Sequence, residues 1–94
     1  MEKKELYGQA ELVDEEKRKF LLKYYLIGEE DYKKNWLYSL LVEIWSDKKL
    51  LESKEAPLLT YSRELACSML EKLCRCMITP LCVEEVMDDL LAQC

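Results

Sequence analysis

The side chains in this 94-residue chain that could do chemistry are five cysteines and a dense set of carboxylates; histidine is absent. Without imidazole the chain lacks the commonest general base, the commonest metal ligand and the usual member of a nucleophilic triad. Cys67, Cys74, Cys76 and Cys82 gather in the C-terminal third, and Cys94 follows. On a helix, Cys74 and Cys76 would point about 200° apart, so they could neither chelate one ion nor close a disulfide. Cys67 and Cys74 would share a face but stand about 10 Å apart along the axis. A zinc site would show a Cys-x2–4-Cys knuckle, often with His. The cysteines therefore read as small apolar fillers. A redox or metal sensor is the alternative reading, with Lys72 and Arg75 as the charges that would favour a thiolate.

The carboxylates Glu84, Glu85, Asp88 and Asp89 are the other candidates. Paired acids can do acid–base work or hold Mg²⁺. Here they line one face of a helix whose opposite stripe is Val83, Val86, Met87, Leu90, Leu91 and Cys94, so a solvated face accounts for their spacing. The same charge density would suit contact with a basic protein surface, in place of nucleic-acid phosphates. Two isolated glycines rule out a phosphate loop, and no Gly-x-Ser-x-Gly motif exists. No catalytic residue, metal or cofactor is expected.

Composition narrows the class further. Half the residues are hydrophobic and 35% are charged, which is a globular balance over a single domain, residues 1–94. The net charge of −5 disfavours direct nucleic-acid binding, which needs clustered Lys and Arg. The pairs Lys3-Lys4, Lys33-Lys34 and Lys48-Lys49 are scattered among acids. No uncharged run approaches the roughly 20 residues of a membrane span, and the N-terminus has no apolar segment of signal-peptide type. A cytoplasmic location with reduced cysteines is expected.

The elements that must position these groups fall into two halves. Residues 58–91 carry the clearer helical grammar. Thr60 or Ser62 can cap a helix start, with Glu64 in the first turn, where the helix dipole favours negative charge. Tyr61, Leu65, Met69, Leu70, Leu73, Cys76 and Met77 recur at helical spacing as one buried face. Thr79-Pro80 ends that helix and starts the next. Two helices, about 61–78 and 80–93, are expected.

Residues 5–56 read as an antiparallel meander of three or four strands. Leu6, Gly8, Ala10 and Leu12 alternate with Glu5, Tyr7, Gln9 and Glu11. Residues 19–27, KFLLKYYLI, are apolar nearly all round; periodicity leaves strand or helix open, and length and flanks favour a strand. Residues 36–45, WLYSLLVEIW, pose the same choice. Ser46-Asp47-Lys48-Lys49 reads as a hairpin connection, and 50–56 as a return strand ending at Pro57. The fold class is α+β, a small sheet packed on two C-terminal helices; an all-α bundle is the alternative. Among Tyr24, Tyr25, Tyr32, Trp36, Tyr38 and Trp45, most are read as core and strand-face packing. One or two outward ones would serve as interface anchors.

Thr60-Tyr61-Ser62-Arg63-Glu64 with Ala66, then Met77-Ile78-Thr79-Pro80, then Val83-Glu84-Glu85-Val86-Met87-Asp88-Asp89-Leu90-Leu91 form a recognisable tail. It resembles a family of short Firmicutes-type proteins of unknown function. That family's tail runs Thr-x-Ser-x-Glu-x-Ala, an amphipathic helix, Val-Thr-Pro, then Asp-Val-x-Glu-Asp-x-Leu. Ile78 and Glu85 depart from it conservatively. The resemblance implies the α+β arrangement and carries no activity.

The functional expectation is a small acidic, non-enzymatic protein-interaction module, a regulator or inhibitor encoded by a bacterium, phage or mobile element. One concrete version is an anti-defence, anti-CRISPR-like inhibitor of a basic nucleic-acid-handling partner. The contact would be Glu84, Glu85, Asp88 and Asp89 or the sheet, whose exposed edges could also support a homodimer.

Overall fold

The computed structural model describes residues 2–92, apart from the side chains of 57–59 and 90–92. Four strands, β1 (Glu2–Val13), β2 (Lys19–Glu30), β3 (Trp36–Ser46) and β4 (Lys49–Thr60), are followed by α1 (Arg63–Arg75), a 3₁₀ turn (Pro80–Cys82) and α2 (Val83–Ala92). The strands pair antiparallel in chain order, β1-β2-β3-β4. The fold is α+β, and the helical-bundle alternative is set aside.

Turn chemistry explains the meander. In the β1–β2 connection, Asp14 accepts from the backbone N–H of Glu16 and Arg18 at 2.9 and 2.8 Å. In the β2–β3 connection, Asp31 accepts from Lys33 and Asn35 at 2.8 and 2.9 Å. Lys17 and Lys34, each three residues on, both have φ 64°. The two loops are the same device, an Asp that caps its own turn and a lysine in the left-handed region. The β3–β4 hairpin turns on Asp47 (φ 48°) and Lys48 (φ 66°). Both central residues at positive φ make a two-residue turn of the type that matches strand twist.

One face of the sheet carries the core. Leu22, Tyr24 and Leu26 of β2, Leu40 and Val42 of β3, and Ala56 of β4 are buried against Ala66, Met69, Leu70 and Leu73 of α1 and Val83 and Met87 of α2. Gly8 of β1 lies under α1: a Cβ there would meet Cys74 Sγ at 3.3 Å. The Tyr24 hydroxyl donates to the Ile78 carbonyl at 2.9 Å, tying the central strand to the α1–α2 connection.

Several boundaries and faces differ from the sequence expectation. The pairing of β1 slips at Tyr7, because Leu6 pairs with Tyr25 while Gly8 pairs with Tyr24. This bulge throws Leu6 onto the face opposite Gly8, Ala10 and Leu12. Strand β4 does not end at Pro57 but runs to Thr60, and its pairing with β3 skips from Ala56 to Thr60. An edge strand tolerates a proline there.

Helix α1 starts at Arg63, capped by Ser62, whose hydroxyl accepts from Leu65 N–H at 3.1 Å. It stops at Arg75, ahead of Thr79-Pro80. Met77 has φ 53°, Ile78 N–H donates to Leu73 C=O, and Met77 N–H donates to Cys74 C=O. That is a Schellman closure, with methionine in the place glycine usually takes. The buried stripe of α1 is also rotated from the expected one. Tyr61 is 62% exposed, and Leu65, Cys76 and Met77 are exposed, whereas Ala66 is fully buried. A small side chain at 66 lets the helix sit close to the sheet, so docking centres on Ala66, Met69, Leu70 and Leu73. Of the second stripe, Val83 and Met87 are buried and Val86 is half-buried. The side chains of Leu90, Leu91 and Cys94 lie outside those described.

Candidate interaction surface

The central strands place large apolar side chains on both faces, but both helices pack on one. The other face, with no described element over it, is assembled by register. Leu6, Tyr25, Leu41 and Glu55 form one cross-strand row, Gln9, Lys23, Glu43 and Ser53 the next, and Glu11, Leu21, Trp45 and Leu50 a third. Residues paired directly across strands share a face, which fixes this assignment.

A polar knot sits in the middle. Glu43 is only 5% exposed, although no helix lies over it. Its carboxylate accepts from Trp45 Nε1 at 3.0 Å and from Lys4 Nζ at 3.3 Å. The Lys4 ammonium lies 4.3 Å from the Tyr25 ring centroid, and Lys23 lies 4.7 Å from that of Trp45. Burial, then the neighbouring Glu43 carboxylate, raises the Tyr25 phenol above its usual range. Ser39, 6% exposed, donates to Glu55 at 3.0 Å, and Ile27 is 8% exposed. Each of these groups is held by its neighbours on the face itself, so the surface is pre-ordered. At its hairpin end, a groove of about 430 Å³ is lined by Phe20, Leu21 and Trp45 together with charges of both signs, Lys19, Lys23 and Lys48 beside Glu11 and Asp47.

The four carboxylates foreseen from sequence lie on the helix side of the molecule. Glu84, Glu85, Asp88 and Asp89 are all exposed along α2. Glu84 is 2.8 Å from Lys54 of β4; the other three form no ion pair among the described residues. The four therefore remain a surface set, separate from the sheet's open face. Cys67 and Cys74 are half-buried beside the core, Cys76 and Cys82 are exposed, and all four are free thiols. Among the described residues no cluster of three or more acids, histidines or cysteines converges on one point. Nor, among them, is any helix long and apolar enough to cross a membrane.

Sequence reasoning did not single out the open face. The available signal was in residues 19–27 and 36–45, apolar on both strand faces, beside a helical half large enough to cover only one. Glu43, an acid inside an apolar strand, was the second signal. Its in-register neighbour Lys23 shows only when the strands are paired.

No curated protein and no solved structure matches the chain. The model of DUF6514, a family of unknown function, matches residues 3–93, almost the whole described domain, and the chain belongs to that family.

Proposed function

We propose that this chain is a small non-enzymatic protein-interaction module, a regulator or inhibitor, and that its contact surface is the open face of the sheet. The observation that carries the reading is the mismatch between strands β2 and β3, which place large apolar side chains on both sides, and helices that cover only one side. The apolar pairs Tyr25–Leu41 and Leu21–Trp45 flank the central Lys23–Glu43 pair. Glu2, Glu11, Glu29, Glu55 and Lys19 make a charged rim, the anatomy of an association surface. Tyr25 and Trp45 are the rigid aromatic anchors such surfaces favour.

The edges are less suited to pairing. Strand β1 carries the Tyr7 bulge, and β4 carries Pro57 within its irregular stretch. Both devices blunt strand addition. The acidic side of α2 is the second candidate surface, supported by the three carboxylates that form no ion pair among the described residues, and its natural partner would be a basic protein.

The test is affinity capture from host cells with three immobilised forms. Wild type defines the bound protein, Leu41→Lys charges the open face, and a quadruple Lys variant at Glu84, Glu85, Asp88 and Asp89 inverts the helix. Loss of capture with Leu41→Lys alone is expected. Loss with the quadruple variant alone would reject the open face in favour of the basic-partner reading.

A further inference from the structure

We infer that the occupant of the open face is a second copy of this chain, stacked face to face about a two-fold axis running along the boundary between β2 and β3. The inference rests on the reading of that face as a contact surface and adds the partner's identity.

Two features point to a second copy. The first is area. Four strands about 4.8 Å apart, each about ten residues long at about 3.4 Å per residue, cover roughly 650 Å². Two such faces bury roughly 1,300 Å² together, within the range of specific interfaces. Stacked sheets lie about 10 Å apart with strands crossing near 30°, which keeps the central rows in register.

The second is self-complementarity. A two-fold axis along the strands places β2 of one copy over β3 of the other at the same height. Tyr25 then meets Leu41, Leu21 meets Trp45, and Lys23 meets Glu43, each twice by symmetry. An axis across the strands would instead set Lys23 against Ile27 and Glu43 against Ser39, so opposite charges meet only in the first arrangement. Glu43 is suited to this pairing. It is already withdrawn from water within one chain, so dimerisation adds little to its desolvation. Its two oxygens hold two donors and retain acceptor capacity for a third. Among the described residues Lys23 has no ion-pair partner, and its ammonium already stands over Trp45.

The experiment is sedimentation velocity across 1–200 µM (a range set on the order of Kd values for modest interfaces) on four samples, each first shown to be folded by circular dichroism. Wild type should sediment as a dimer of the 11.2 kDa chain. Lys23→Glu and Glu43→Lys, each alone, oppose like charges twice across the axis, and each should weaken the dimer by at least about tenfold. Mixed in equal amounts they should recover it, because both symmetric contacts again join opposite charges. Within a single chain, mixing changes nothing, so recovery reports pairing between copies. If Glu43→Lys does not fold, Leu41→Lys replaces it as the dissociating variant, and a dimer that survives this change overturns the inference. A wild type that stays monomeric, or a mixture that does not recover, also overturns it. If the wild type is monomeric yet Leu41→Lys still loses a captured protein, the second copy is rejected while the face stands as a contact surface. If Leu41→Lys has no effect on either readout, both readings fail.

Discussion

Replacing Tyr24 by Phe tests how the sheet holds the helical half. Tyr24 is fully buried, and its hydroxyl donates to the Ile78 carbonyl at 2.9 Å. That carbonyl lies just past the Met77 closure, where α1 ends and the chain turns towards Pro80. Removing the hydroxyl deletes a hydrogen bond with a net value of about 1 kcal/mol and leaves a part-buried acceptor without its donor, for a total of about 1.5–2.5 kcal/mol. For a domain of this size each kcal/mol shifts Tm by about 4–8 °C, so a fall of roughly 6–20 °C is expected. Urea unfolding should show a lower midpoint with an unchanged slope. The same site has a pH signature. Burial, followed by the charges of Cys74 and Cys76, raises the Tyr24 phenol far above its ordinary value of 10.0. A folded-state value above the unfolded one gives stability that is complete below about pH 10 and lost as pH rises beyond it. Wild type should therefore lose stability above pH 10 more steeply than Tyr24→Phe. A variant within about 0.5 kcal/mol of wild type at neutral pH, the level of an ordinary surface change, or an equally steep alkaline limb, would refute the role assigned to this bond.

Met77→Gly should stabilise the protein by about 1 kcal/mol, because glycine adopts the left-handed closure without the Cβ penalty; differential scanning calorimetry would show Tm rise. Leu70→Ala, at a fully buried α1 position, should cost about 3 kcal/mol in urea unfolding and leave a cavity under the helix. Asp14 is held below its usual carboxylate value first by the Arg18 backbone N–H, with Arg18's side chain adding to it, against a smaller opposing effect of desolvation. Its folded value is depressed, so its contribution is present above about pH 4 and lost as pH falls below. Asp14→Asn should flatten the acid limb of the stability curve, measured by chemical unfolding between pH 2 and 6.

Much of the architecture was legible along the chain. The turn residues Asp14, Asp31 and Asp47 punctuate four runs of strand-forming residues; Ser62 opens the helical half and Thr79-Pro80 divides it. These are local signals, written in a few neighbouring residues. The faces were less legible, because a face depends on what lies across from it. Strict alternation assigns Leu6 to the same side as Gly8, and only the pairing of β1 with β2 shows the bulge that separates them. Helical spacing counts Tyr61 and Leu65 as core by their hydrophobicity. Close packing instead selects Ala66, whose small side chain lets α1 approach the sheet.

The candidate site divides along the same line. The exposure of Glu84, Glu85, Asp88 and Asp89 follows from helical periodicity, because charge opposite an apolar stripe must face water. The open face required assembly of the sheet. Lys23 and Glu43 are twenty residues apart in sequence and become neighbours only through the register of β2 and β3. The sequence by itself determined two helices with an acidic outer face on the last, and favoured an antiparallel sheet over a helical bundle, because propensity, turn chemistry and charge act over a few residues. The tertiary structure alone decided how the faces of the four strands align into one covered side and one open side. Alternation already leaves Lys23, Ser39 and Glu43 off the face of Leu22, Tyr24, Leu40 and Val42, but the bulge in β1 and the seating of the helices rest on long-range contacts such as Tyr24 with Ile78 and Gly8 with Cys74.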